Sequence, residues 1–110
     1  MQIDRSAIGG LSVRAVAAIR DVLAMHPSID RAILFGSRAK GNYKNGSDID
    51  LAIFGPCSGS ELGTIAWELD DLLLPWEIDL LQFDTIDNAD LRDHILRVGQ
   101  VFYTHLKAAA

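Results

Sequence analysis

At 110 residues the chain is long enough to bury one core and too short for two, so a single domain over residues 1–110 is expected. Its net charge of −5 excludes nucleic-acid binding through a broad basic surface, although it leaves room for a nucleotide whose charge is met by metal ions. The lone Cys57 cannot close an internal disulfide, and no apolar run approaches the ~20 residues that span a bilayer. The first residues carry Asp4 and Arg5 rather than an apolar leader core, so a cytoplasmic protein without membrane association is expected.

Ser6 to Met25 places Leu11, Ala15, Ile19 and Val22 at the spacing of an amphipathic helix, which His26-Pro27 ends. Arg31 to Phe35 is short and largely apolar, as a buried strand is. Gly36 to Ser47 is a connection rich in Gly, Asn, Ser and Lys, with room for one helical turn at Ser37 to Lys40. Its Asn45-Gly46 is a strong turn signal ahead of a second strand, Asp48 to Phe54. Ser58 to Leu74 reads as a second long helix with Leu62, Ile65, Ala66, Leu69, Leu72 and Leu73 on one side, stopped by Pro75. A third strand runs from Trp76 to Phe83. Leu91 to Tyr103 reads as a last amphipathic helix, with Leu91, Ile95, Val98 and Phe102 on its stripe. The resulting α-β-β-α-β-α order predicts an α+β fold: a small mixed β-sheet with helices packed mainly on one face, the other face open for a site.

That open face is where chemistry collects. Strand side chains alternate, so Asp48 and Asp50 point the same way while Ile49, Leu51 and Ile53 point to the core. Asp79, on the third strand, can join them on one face. Like charges this close repel, and a divalent cation between them removes the repulsion. Hard cations such as Mg²⁺ take one or two carboxylates plus substrate phosphates, and two ions can clamp the attacking and leaving oxygens of an in-line displacement. Gly36-Ser37 supplies the complementary half. A glycine at a strand end lets a phosphate approach the backbone, and Ser37 offers a hydroxyl and free N–H groups. Arg38, Lys40 and Lys44 add cations to the same loop. Together these parts point to nucleotidyl transfer from a metal-bound nucleoside triphosphate, with Asp48, Asp50 and Asp79 catalytic.

Gly36-Ser37, ten residues, Asp48-Ile49-Asp50 and a later strand Asp79 resemble the motif of the DNA polymerase β-like nucleotidyltransferase superfamily, whose small members are the minimal nucleotidyltransferase (MNT) domains. The resemblance implies triphosphate binding by Gly36 and Ser37 and metal ligation by Asp48, Asp50 and Asp79, while Arg38 and Lys44, as cations of the same loop, are expected to add nucleotide contacts. It also implies ATP as substrate with two Mg²⁺ ions. Larger relatives carry a further helical domain for the acceptor, whereas MNT domains are often encoded beside a HEPN-domain toxin. By this resemblance the chain is expected to be an antitoxin that adds AMP to a tyrosine of that HEPN partner. The alternatives are a module that neutralises a partner by occlusion alone and a small-molecule nucleotidyltransferase with a separate acceptor subunit.

Other motifs fall away. Gly41 to Ser47 lacks the lysine of a Walker loop. His26, His94 and His105 have no metal-ligand spacing, and Cys57 has nothing nearby to activate it. Trp67 and Trp76 read as core or interface packing, and Glu77 as an exposed residue at a strand start.

Overall fold

The computed structural model describes residues 8–105, so Ser6, where the sequence pattern begins helix 1, lies outside them. The element order is α1 (Val13–Ala24), β1 (Arg31–Phe35), α2 (Ser37–Lys40), β2 (Ile49–Phe54), α3 (Gly59–Asp70), β3 (Ile78–Gln82), a 3-10 turn (Phe83–Thr85), α4 (Ala89–Val98) and β4 (Gln100–Thr104). Three of the helices start on side-chain caps. Ser12 accepts from the Ala15 N–H, Ser58 from Glu61 and Asn88 from Leu91, each meeting a donor that the first helical turn leaves unpaired.

The four strands form one mixed sheet in the order β3-β2-β1-β4. β1 runs antiparallel to β2, with Phe35 opposite Asp50, and antiparallel to β4. β2 and β3 are parallel, with Ile49 beside Ile78 and Asp50 beside Asp79. Alternation along β2 separates two cores. Ile49, Leu51 and Ile53 are fully buried with Ile19 of α1 and Ile65 and Leu69 of α3, so the two long helices share one face. Ala52 points to the opposite face, where Ile33, Phe35 and Phe83 meet Ile95 of α4, and Phe54 stacks on Phe83 at 4.3 Å. The second face is therefore not wholly open, since α4 covers part of it.

Two expectations are corrected. The segment from Leu91 to Tyr103 is not one helix: it ends at Val98, and Gln100 to Thr104 becomes β4. Gly99 makes the break, its N–H donating to the Ile95 carbonyl at 3.0 Å. Its Cα lies so close to that carbonyl and to Ile33 that no Cβ fits. Beyond it Val101, Phe102 and Tyr103 are strong strand formers, and β1 offers an unpaired edge. Phe102, read as a helix-stripe residue, instead enters the α1 side of the core, and Arg20 donates to its carbonyl at 2.7 Å. The α3 helix likewise stops at Asp70. Leu73 takes φ 58° and is 86% exposed rather than on the buried side. Among the described residues no helix is long and apolar enough to cross a membrane.

His26, just past α1, is held between Glu61 and Glu68 of α3, at 3.2 Å to Nδ1 and 2.6 Å to Nε2, while Ser28 donates to Glu61 at 2.6 Å. Burial works to lower the pKa of His26, but the hydrogen bonds and charges of Glu68 and Glu61 outweigh it and raise the value. The bond from Ser28, then His26, lowers that of Glu61. A raised histidine stabilises the fold fully below its unfolded value of about 6.5 and loses that contribution as pH climbs through the folded value.

Denaturation in urea at pH 6 and pH 9 should therefore show the wild type losing stability relative to His26→Gln as pH rises, and equal slopes would refute the clamp. Phe102→Ala should cost about 3–5 kcal/mol in the same assay, whereas a surface position would cost under about 1 kcal/mol.

Candidate active site

The two registers of β2 build the site. Parallel pairing sets Asp79 beside Asp50 on the face away from α1 and α3, and Asp48 stands just ahead of the strand, two residues before Asp50. Antiparallel pairing sets the end of β1 against the same residue, so that Gly36 follows directly on Phe35 at Asp50. Gly36 has φ 75°, and a Cβ there would stand 2.5 Å from Asp50 Oδ2. Only glycine satisfies both the dihedral and the contact. The carboxylate thus lies against bare backbone at the start of α2, where Ser37 begins the helix and the first N–H groups have no intrahelical acceptor.

Asp50 is half-buried, whereas Asp48 and Asp79 are exposed. Burial, then the charge of Asp79, then that of Asp48, pushes the Asp50 carboxyl above the usual carboxylate range. The folded chain therefore concentrates negative charge at one point on an otherwise apolar face. Among the described residues no three His, Cys, Asp or Glu side chains stand close enough together to enclose a metal ion. The donor chemistry nonetheless fits a hard divalent cation: oxygen ligands only, one of them desolvated and held ionisable against its neighbours.

The basic residues of the connecting loop divide. Arg38 is 3% exposed and turned into the protein. Its Nη1 donates to the Gly9 carbonyl at 2.7 Å, Nε to Ser47 at 3.0 Å and Nη2 to Asn45 at 3.1 Å. Its guanidinium also lies 5.0 Å from the Tyr43 ring and 5.4 Å from that of Trp76. With these donors committed, the structure gives Arg38 the work of holding the loop instead of the phosphate contact expected of it. Lys40 and Lys44 are exposed, and the Lys44 N–H donates to Ser47 Oγ at 2.8 Å, closing the turn before Asp48. Trp76 also holds the loop, its Nε1 donating to the Asn45 carbonyl at 2.9 Å. Nothing in the spacing of the sequence signals either clamp, because both partners are backbone carbonyls.

Gly36, Ser37, Asp48, Asp50 and Asp79 are thus gathered at one end of the sheet. The chain belongs to the polymerase beta nucleotidyltransferase family, whose model matches residues 17–107. It is similar in fold to a toxin–antitoxin structure with AMP-PNP, at TM-score 0.67 and 22% identity over 81% of this chain and 73% of the other. It is also similar to a tri-AMPylated Shewanella oneidensis HEPN toxin in complex with an MNT antitoxin, at TM-score 0.63 and 19% identity over 83% and 71%. A third likeness is to the toxin–antitoxin MntA-HepT, at TM-score 0.61 and 19% identity over the same shares. Among curated proteins there is no match.

The contact between Gly36 and Asp50 can be tested as a cycle. Gly36→Ala should destabilise the chain by roughly 1–2 kcal/mol for the dihedral alone, and further for the clash. In an Asp50→Ala background the clash is gone, so the Gly36→Ala cost should shrink to the dihedral part. Strict additivity in thermal denaturation would show that the two residues do not touch.

Proposed function

We propose that this protein transfers AMP from ATP to an acceptor hydroxyl, a tyrosine of a HEPN-domain toxin encoded by the neighbouring gene, and thereby acts as its antitoxin. The observation that carries the reading is the convergence of Asp48, Asp50 and Asp79 on one sheet face with Gly36 against Asp50. Family membership supports nucleotidyl transfer, and the likeness to toxin–antitoxin structures supports the choice of partner.

In this reading Asp48, Asp50 and Asp79 would hold Mg²⁺, two ions by analogy with the family. Bound Mg²⁺ supplies charge neutralisation for the triphosphate and for the oxygens entering and leaving phosphorus. Gly36 and Ser37 receive the phosphates through backbone N–H groups and the Ser37 hydroxyl, and Lys44, exposed on the loop, adds a cation. Asp79, exposed on the edge strand, orients the incoming tyrosine hydroxyl and takes its proton. The tyrosine oxygen bonds to the α-phosphorus, the α–β bridging bond breaks, and pyrophosphate leaves. With Asp48 and Asp79 exposed, an acceptor carried on another chain can reach the reacting atoms.

Intact-mass spectrometry of the protein mixed with Mg²⁺, each of the four nucleoside triphosphates in turn and the neighbouring HEPN protein provides the test. The expected result is one or more AMP units added to the partner with ATP, abolished by Asp48→Asn with Asp50→Asn while complex formation persists. A stable complex with no mass change would overturn transfer in favour of neutralisation by occlusion.

A further inference from the structure

Away from the carboxylates, α3 and the start of β3 enclose a cavity of about 400 Å³. Trp67 and Trp76, both tryptophans of the chain, line it together with Asp70, Glu77, Leu74 and Ile78, and among the described residues no basic one does. This volume is within the range of small-ligand pockets. We infer that this cavity receives an arginine side chain presented by a partner protein.

The chemistry of the lining selects the ligand. Two indoles offer π faces that attract a cation, and the Trp76 ring already has one, Arg38, at 5.4 Å outside the cavity. Among the described residues Asp70 and Glu77 have no ion-pair partner, so an apolar occupant would desolvate two carboxylates without compensation and an anion would be repelled. A guanidinium suits the site better than an ammonium, because it stacks flat on an indole while its fork reaches a carboxylate. The surroundings favour a protein over a free small cation. Trp67 is 68% exposed and Leu73, in the turn after α3, is 86% exposed, a large apolar area that a lone amino acid would leave wet. β3 is an edge strand, and Glu77 stands just ahead of it, two residues before Asp79. A polypeptide docked here continues across that free edge toward the carboxylate face. The cavity is distinct from the transfer site and takes its arginine whether or not AMP transfer is the reaction.

The chain has two tryptophans and both line the cavity, so their indole N–H signals in a ¹⁵N-labelled sample report on it, Trp67 directly and Trp76 through a ring whose N–H is held by Asn45. Both signals should shift saturably with N-acetyl-arginine amide at constant ionic strength, and at least tenfold more weakly with the neutral N-acetyl-citrulline amide. A capped peptide with leucines flanking the arginine should bind more tightly than the single residue. Asp70→Asn with Glu77→Gln, both at the surface, should remove the preference for arginine over citrulline while leaving the rest of the spectrum in place. No saturable shift, or an equal response to citrulline, overturns the cation site. Equal affinity for the peptide and the single residue overturns the protein occupant.

Discussion

Asp50 is forced into a place that suits a carboxylate poorly: half-buried, with a like charge beside it on β3 and another two residues back, and the backbone of Gly36 pressed against its oxygen. Each neighbouring element is fitted to that one side chain. The β1–β2 register delivers the glycine, the β2–β3 register delivers Asp79, and the fully buried Ile49 and Leu51 lock the strand so that Asp50 cannot rotate to the other face. Slipping β2 by one residue would exchange the two faces and bury the charge among α1 and α3, a far greater cost than the repulsion it now meets. The apolar core thus holds the charged site in place.

The loop between Ser37 and Asp48 shows a second way of fixing a site. Such a segment, rich in Gly, Asn and Ser, has little apolar surface to bury and would be loosely held by packing alone. Here two side chains, Arg38 of α2 and Trp76 just ahead of β3, donate to carbonyls of the loop, both reaching Asn45. A buried arginine whose donors meet backbone oxygens satisfies its own desolvation and the carbonyls together. The loop therefore returns to β2 along a fixed path, and Asp48 begins from a fixed point.

Much of this was legible in the sequence because alternation and turn chemistry are local. Ile49, Asp50, Leu51 and Ile53 announce which face each residue takes, and Asn45-Gly46 announces where β2 begins. The β1, β2 and β3 cores and the gathering of the three aspartates follow from such signals. What stayed hidden depends on distant partners. Phe102 fits a helical stripe as well as a strand, and only the free edge of β1 decides between them. Leu91 and Ile95 gave an amphipathic helix without saying which sheet face it would cover. Arg38 next to Ser37 looks like a phosphate ligand until Gly9, far back in the chain, takes its guanidinium.

The parallel pairing of β2 with β3 also separates the parts of the site by the length of chain that each must close. β1 and β2 are neighbours in the chain and antiparallel, so Asp48, Asp50 and Gly36 can come together by closing one modest loop. A parallel neighbour cannot be reached by a turn; Asp79 is joined to Asp50 only through the crossover of α3 on the apolar face. Non-local closures of this kind carry a larger entropic cost and are intrinsically slow. The repulsion that Asp79 adds to the Asp48–Asp50 pair therefore depends on the longest closure in the site, the one that the buried core of α1 and α3 supports.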